Sequence, residues 1–161
     1  MSWKGFTIDG NFKDLSHLES FTMETAIDGI NMKLVFSFLS HCFTDEKGEN
    51  RMPFKNEERY WSEDRYELSK GLPDLIRKNF LINYAVPFLN KRRNEQYHYM
   101  EVHGYAIFFD INKPQDTTNE LKIKIVSAYE VDEWGKHGLP KKGPKKVSWI
   151  LSRRNQGLSA L

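Results

Sequence analysis

The chain has a single cysteine, Cys42, and no long apolar run. One thiol cannot form an internal disulfide, which argues against the small secreted proteins that depend on disulfides for stability. No stretch approaches the roughly 18 apolar residues that span a bilayer, and no basic start precedes an apolar signal segment. The sequence therefore predicts a soluble, cytoplasmic protein with no membrane partner.

Several widespread phosphate-binding and catalytic motifs are also missing. The sequence contains no Gly-x-Gly-x-x-Gly, no Gly-x-x-x-x-Gly-Lys-Ser/Thr, no Gly-x-Ser-x-Gly and no His-Glu-x-x-His. His17, His41 and Cys42 could supply zinc ligands, but they lack Cys-x-x-Cys or His-x-x-x-His spacing. We therefore expect neither a metal nor another cofactor.

Acidic residues are absent after Glu133. Residues 1–50 carry four Lys against eight Asp or Glu, so the two ends of the chain differ in charge. The basic residues beyond Glu133 are Lys136, Lys141, Lys142, Lys145, Lys146, Arg153 and Arg154. A segment of one charge favours RNA or another polyanion as the partner. A solvated tail that keeps the protein soluble is an equal alternative.

The length of 161 residues suits one domain, and 39% hydrophobic residues can form its core. Asp28-Gly29 lies between two extended segments, and this pair favours the type I′ turn of a β-hairpin. Alternating apolar residues over 32–38 place Leu34, Phe36 and Phe38 on one face of a central strand. The sequence therefore predicts that residues 1–161 form a single α+β domain with an N-terminal β-hairpin.

A central helical pair and a mainly antiparallel sheet are predicted to follow. Ser62 can cap the first helix, Gly71 interrupts it, and Pro73 can begin the second. Residues 45–59 are polar and should form an exposed loop. Strand-like segments occupy residues 84–89, 96–102, 104–111, 121–129 and 147–151, so residues 134–154 comprise a basic loop and the last strand.

The first candidate site lies at residues 40–44, directly after the most apolar strand. His41 could transfer protons there, because an imidazole gains and loses a proton near neutral pH. The alternative is that His41 only caps the strand through hydrogen bonds while Cys42 fills the core.

Two further groups could act on a phosphate. The guanidinium of Arg65 is a natural partner for phosphate oxygens, although a surface ion pair with Glu58 or Asp64 is an alternative. Ser127 and Tyr129 share one face of their predicted strand, because side chains alternate between faces with period two. Both hydroxyls could therefore reach one ligand, or both could belong to the core.

Aromatic and basic residues also occur together. Tyr97, His98, Tyr99, His103 and Tyr105 are close in sequence to Lys91, Arg92 and Arg93, and Trp149 is close to Arg153 and Arg154. Single-stranded nucleic acids bind to cationic grooves with aromatic stacking surfaces. The alternative is that these aromatic side chains are ordinary core residues or cross-strand pairs of the sheet.

Four short segments resemble a group of small bacterial proteins associated with mobile elements. They are Asp14-Leu15-Ser16-His17-Leu18, His41-Cys42-Phe43-Thr44, Arg65-Tyr66-Glu67-Leu68-Ser69 with Leu72-Pro73, and Val126-Ser127-Ala128-Tyr129. The C-terminal half is loosely similar to nuclease toxins of the RelE, barnase and colicin type. The second resemblance implies helices followed by an antiparallel sheet with a basic final strand, and a toxin-like nuclease activity, whereas the first implies no particular activity. Phage defence is a further expectation for a protein of a mobile element.

The leading hypothesis is an RNA-binding domain that could cleave RNA without a metal. His41 would be the acid or base, Arg65 would stabilise the phosphate, and Ser127 and Tyr129 would donate hydrogen bonds. The residues expected to guide the strand are Lys91, Arg92, Arg93, Lys141, Lys142, Lys145, Lys146, Arg153 and Arg154. The alternative is a non-enzymatic protein-binding inhibitor or regulatory factor encoded by a mobile element.

Overall fold

The computed structural model describes residues 3–90, 95–131 and 143–160. Within these residues, three α-helices and one 3-10 turn accompany eleven strands. The strands are β1 Gly5–Ile8, β2 Asn11–Asp14, β3 Phe21–Ile27, β4 Ile30–His41, β5 Thr44–Asp45, β6 Tyr60–Trp61, β7 Tyr84–Asn90, β8 Glu95–Val102, β9 Tyr105–Asn112, β10 Glu120–Glu130 and β11 Lys145–Lys146. The helices are α1 Glu63–Ser69, α2 Leu72–Asn79 and α3 Val147–Asn155, and the 3-10 turn spans Ser16–Leu18.

Tight turns of the same kind close three of the hairpins in the described residues. Asp28 and Gly29 between β3 and β4 have φ of 54° and 79°, as a type I′ turn requires at both central positions. Asp9-Gly10 between β1 and β2, and His103-Gly104 between β8 and β9, have positive φ in the same way. The predicted N-terminal hairpin is therefore confirmed.

The main sheet has the strand order β11-β7-β8-β9-β10-β4-β3 among the described residues. Its neighbours are antiparallel except β4 and β10, which run parallel. The strand predicted to be central, β4, has neighbours on both sides and lies second from one edge. The predicted mainly antiparallel sheet is confirmed.

Helices cover one face of this sheet. Leu34, Phe36 and Phe38 of β4 are fully buried on that face, as their alternation predicts. Phe80, at the end of α2, packs edge-on against Phe36 at 5.0 Å and against Phe109 of β9 at 5.1 Å. These ring contacts attach the helical pair to the sheet and form the centre of the core.

The helical pair begins and breaks where the sequence predicts. The Ser62 hydroxyl accepts a hydrogen bond from the backbone N–H of Arg65 at 3.2 Å and so caps α1. Gly71 separates the helices, and Pro73 lies in the first turn of α2. Together with the hairpin and the sheet, this pair confirms the predicted α+β class.

The strand predicted at residues 147–151 is wrong, because this segment begins helix α3. Val147, Ile150 and Leu151 are buried, and their i, i+3, i+4 spacing matches one side of a helix. A short apolar run does not distinguish a buried strand from a buried helix. Arg153 and Arg154 in the last turn favour the helix, because cations stabilise its carboxyl end.

Candidate functional site

A β-bulge at the end of β10 directs two of the predicted hydroxyls away from the core. Ile125 lies opposite Phe109, but after the register shift Ser127 lies opposite Phe108, whose side chain points to the other face. Ile125 is fully buried, whereas Ser127 and Tyr129 are only partly buried. The bulge thus places both hydroxyl-bearing residues on the face opposite the helices.

His41 lies beside Ser127 in the neighbouring strand. The two residues are paired in the parallel register of β4 and β10, so their side chains emerge on the same face. Tyr129 follows two residues after Ser127. Three of the predicted site residues therefore converge at one end of the sheet, although β10 follows β4 by almost 80 residues.

Arg65 of α1 joins this group, but its donors are already engaged. Its Nη1 donates to the carbonyl oxygens of His41 at 3.1 Å and Thr44 at 2.7 Å. The Nη2 atom lies 3.6 Å from a carboxylate oxygen of Asp45, and the guanidinium carbon lies 4.8 Å from the centre of the Tyr129 ring. Arg65 thus holds the end of β4 in place and also supplies a positive charge beside Tyr129.

Glu57 completes a polar cluster with His41. The His41 Nε2 atom is 2.9 Å from one carboxylate oxygen of Glu57, and the Ser40 hydroxyl donates to the other at 2.8 Å. Partial burial acts to raise the pKa of Glu57, but the hydrogen bonds from His41 and Ser40 outweigh it. The pKa of Glu57 is therefore lowered, and the carboxylate is ionised at neutral pH.

A buried arginine supports the same turn. Arg59 is 7% exposed and donates from Nε to the Thr44 hydroxyl at 3.0 Å and from Nη2 to the Thr44 carbonyl at 2.8 Å. Burial, followed by the nearby charge of Arg65, lowers the pKa of Arg59. The prediction that residues 45–59 form an exposed loop is therefore wrong for Met52 and Arg59, because both are buried.

Tyr105 contributes a further hydroxyl beneath this cluster. The side chain is 6% exposed, and its hydroxyl has no hydrogen-bond partner among the described residues. Burial raises the pKa of Tyr105, with a smaller contribution from Cys42 and an opposing one from Arg65. Tyr105 therefore remains protonated at neutral pH and is an available donor in the interior of the site.

The sheet face that carries His41 is polar and aromatic, and we name it the open face. Exposed or partly buried side chains on it include Lys33, Ser37, His41, Phe108, Lys122, Lys124, Ser127 and Tyr129. Acidic residues share this face, since Lys33 lies opposite Glu24 and Glu120 and Lys124 lies opposite Asp110. The rings of Phe108 and Tyr129 stack with centres 5.9 Å apart and an angle of 18°. Glu57 also lines a cavity of about 550 Å³, together with residues 53–56. The open face thus combines opposed basic and acidic side chains, aromatic rings and the His41 cluster, and Tyr99 and Ala106 on the same face are buried.

The predicted basic residues do not gather at the His41 cluster. Lys91, Arg92, Arg93, Lys141 and Lys142 lie outside the described residues. Lys145 and Lys146 form β11, at the far edge of the sheet from β3.

Two arginines of α3 have separate roles. Arg153 lies over the Trp149 ring at 5.5 Å, whereas Arg154 donates to the Ile111 carbonyl at 2.6 Å. Of the residues predicted to guide a strand, Lys145, Lys146 and Arg153 thus share one edge of the sheet, while Arg154 fastens α3 to β9.

Some aromatic residues predicted to stack on nucleic acid are instead buried. His98 is fully buried, and Tyr99 and Tyr105 are 7% and 6% exposed. Their alternation along the strands is equally compatible with core packing, which is the role they take. His103 occupies the turn before β9 rather than a stacking surface.

Sequence reasoning did not identify Glu57 or Arg59. Both lie in a polar segment with no periodicity. Glu57 contacts His41 from 16 residues further along the chain, and Arg59 contacts Thr44 from 15 residues further along. No local sequence pattern predicts that this loop folds back onto the end of β4. The only available signal was that a carboxylate and an arginine follow a strand-end histidine within one loop.

Two features are absent from the residues that the structure describes. None of the helices in the described parts of the chain has the length and apolar character needed to cross a bilayer. Across residues 3–90, 95–131 and 143–160, no three His, Cys, Asp or Glu side chains come together as a metal-binding group.

Comparison with known proteins identifies a family but no activity. A family model described as the YjaZ family matches residues 5–154, which is nearly the whole chain. No curated protein and no solved structure matches the sequence. The match carries no mobile-element or nuclease-toxin assignment, so both remain predictions. The chain therefore belongs to the YjaZ family.

Proposed function

We propose that the protein binds single-stranded RNA on the open face and cleaves it without a metal at the His41 cluster. The observation that carries this proposal is the convergence of His41, Ser127 and Tyr129 with the Arg65 guanidinium at one end of the sheet. These residues combine a proton acceptor, hydroxyl donors and a cation, which is the set that RNA cleavage requires.

RNA supplies its own nucleophile, the ribose 2′-hydroxyl. A Glu57 carboxylate that accepts a hydrogen bond from the Nε2–H of His41 leaves the lone pair on Nδ1. Nδ1 then takes the 2′-hydroxyl proton as the 2′-oxygen bonds to phosphorus. The bond from phosphorus to the 5′-oxygen breaks, and that oxygen receives a proton from water.

The other residues stabilise the charged phosphate during this step. The Nη2 edge of Arg65 faces the half-exposed Asp45 carboxylate, which a phosphate could displace. Burial raises the pKa of Tyr129, although the charge of Arg65 opposes it, so the phenol is protonated and donates a hydrogen bond. Ser127 adds a second hydroxyl donor, and Lys122 lies on the same face opposite the uncharged Asn112.

The first test compares RNA cleavage by the wild-type protein with His41→Gln and Glu57→Gln, in a reducing buffer that contains a chelator. We expect His41→Gln to lower the cleavage rate by about 100-fold or more, the usual contribution of a general base. Glu57→Gln should lower it less, because it changes the orientation of His41 without removing the imidazole. His103→Asn is the control, since asparagine tolerates the positive φ of this exposed turn.

If the wild-type protein neither cleaves nor binds unstructured RNA, and its expression does not slow growth, the RNA-directed function is wrong. If cleavage persists unchanged in His41→Gln, the activity belongs to another site or to a contaminant.

A protein-binding inhibitor or regulatory factor is the second candidate. It is favoured by the engagement of Arg65 with two backbone carbonyls, which is a structural role, and by exposed apolar side chains such as Phe12 and Ile82. A stoichiometric protein partner that withstands nuclease treatment and still binds the His41→Gln variant would support this function over the first.

A further inference from the structure

The two edges of the main sheet differ in how well they are protected. One edge is β11, which has only two residues, and both are lysines. The other edge is β3, which has seven residues with neither lysine nor proline, and its pairing with β4 contains no bulge. Short strands, lysines, prolines and bulges are the features that keep an exposed edge from pairing with another chain. The β11 edge is therefore protected against such pairing, whereas the β3 edge is not.

The turn between β3 and β4 fixes the direction of the backbone groups of β3. Ile27 and Ile30 flank the two central turn residues, and in a type I′ turn such flanking residues hydrogen bond to each other. Hydrogen-bonded pairs alternate with non-hydrogen-bonded pairs along an antiparallel hairpin. Glu24 and Lys33 therefore form a non-hydrogen-bonded pair, and the N–H and C=O of Glu24 point away from β4.

Contacts on the other side of β4 agree with this direction. The Lys33 N–H donates at 2.8 Å to the carbonyl of Asn119, directly before β10, so Lys33 presents its backbone to β10 and not to β3. By the same alternation, Thr22 and Ala26 also direct N–H and C=O outward. The side chains of Thr22, Glu24 and Ala26 are exposed, and no other part of the described chain hydrogen bonds to their backbone. The β3 edge thus presents a row of available donors and acceptors.

Side chains along β3 indicate the composition of a partner strand. On the helix side, Phe21 and Met23 are only partly buried, although both pack against the core. On the open face, Glu24 is the one charged residue of β3, and no ion pair joins its carboxylate to Lys33 or to another described residue. An added strand would therefore cover Phe21 and Met23 with apolar side chains and place a basic residue opposite Glu24.

A second copy of this chain matches the edge less well. Antiparallel pairing of β3 with itself must match the outward-pointing residues, which are Thr22, Glu24 and Ala26. Every register that matches at least two of them places the two Glu24 side chains directly opposite or diagonal to each other on one face. Like charges at such positions disfavour the pair, so charge complementarity selects a different chain.

We propose that β3 is a docking edge for an extended segment of another protein, which adds an antiparallel strand with apolar residues on the helix side and a lysine or arginine opposite Glu24. The backbone groups of β3 supply the affinity, and the side chains of Phe21, Met23 and Glu24 supply the selectivity. This docking requires neither RNA nor the His41 cluster, so it goes beyond the proposed function and is tested independently of it.

The test measures binding of a fluorescent peptide, Val-Thr-Val-Lys-Val-Thr-Val, which matches the seven residues of β3 in length. The wild-type protein should bind it about fivefold more tightly than the peptide with glutamate in place of lysine, since an opposed charge pair contributes at most modestly. Glu24→Lys should reverse this preference. The matched control is Glu49→Lys, which makes the same charge change at an exposed loop position and should keep the wild-type preference.

Backbone methylation of the peptide separates strand pairing from charge attraction. The N–H of the peptide lysine would face β3, so its methylation should weaken binding by about tenfold. The N–H of either neighbouring valine would point away from β3, so its methylation should change the affinity by less than about threefold.

Several results would overturn the proposal, whatever the protein does with RNA. Failure of the wild-type protein to bind the lysine peptide, or equal binding of the two methylated peptides, would show that no strand is added to β3. An unchanged preference in Glu24→Lys would show that the peptide binds elsewhere. Dimers of the wild-type protein in sedimentation, dissociated by the lysine peptide, would show that a second copy occupies the edge.

Discussion

Between about pH 7 and pH 4 the protein is expected to lose about 3 kcal/mol of its free energy of unfolding through one side chain, His98. His98 lies on the helix-facing side of β8, opposite Phe109, with ring centres 5.3 Å apart. It is fully buried, and neither ring nitrogen has a hydrogen-bond partner among the described residues. Burial, with a smaller contribution from the charge of Arg154, lowers the pKa of His98 to about 4.

The sign of this effect follows from where the proton binds. The unfolded chain takes up a proton on His98 as the pH falls below the ordinary pKa of 6.5, whereas the folded chain does so only near pH 4. The stability is therefore complete above pH 6.5 and decreases between these two values. The pKa of His17 is lowered mainly by burial, so it contributes a loss in the same direction.

Urea unfolding at a series of pH values measures this effect. His98→Leu removes the titrating group and its two unpaired nitrogens, so its unfolding free energy should depend much less on pH between 6.5 and 4. At pH 7 the variant should be as stable as the wild-type protein or more so, because an unpaired buried polar group is costly. His103→Asn is the control and should keep the wild-type pH dependence; an unchanged dependence in His98→Leu would contradict the assignment.

Replacing Phe80 by alanine is expected to lower the free energy of unfolding by about 3–5 kcal/mol. Phe80 is fully buried, caps the carboxyl end of α2, and contacts both Phe36 of β4 and Phe109 of β9. The substitution removes two edge-on ring contacts and leaves a cavity that neighbouring rings cannot fill without moving. The loss should appear as a lower urea midpoint with an unchanged slope.

Graded variants make this result specific. Phe80→Leu keeps most of the buried volume and should cost less than Phe80→Ala. Phe12→Ala removes a ring that is 64% exposed, and its cost should stay within about 0.5 kcal/mol. If Phe80→Ala and Phe12→Ala prove equally mild, Phe80 does not attach α2 to the sheet.

Local chemistry accounts for the parts of the fold that could be predicted. Asp28-Gly29 specifies its turn because two adjacent positive φ values are tolerated by few residue pairs. Ser62 and Pro73 mark helix starts through groups that act within one turn. The segment 147–151 was predicted wrongly because its local pattern allows two structures, and packing against the core selects the helix.

The candidate site could be predicted only in part, for the same reason. His41, Ser127 and Tyr129 stand out by their places at strand ends, and their convergence depends on the parallel pairing of β4 and β10. Glu57 could not be predicted, since its contact with His41 requires the loop to fold back. The orientation of Ser127 depends on the bulge after Ile125, which has no signature in the sequence.

By itself, the sequence determined the turns, the helix caps, the alternation that buries Leu34, Phe36 and Phe38, and the uneven charge along the chain. The turns, the caps and the alternation follow from interactions between residues a few positions apart, and the uneven charge follows from composition alone. Tertiary structure alone decided which strands became neighbours, that residues 147–151 are helical, that His98 is buried in the core, and that His41, Ser127 and Tyr129 lie at one end of the sheet. Those outcomes depend on contacts between residues far apart in the sequence, which no short segment specifies by itself.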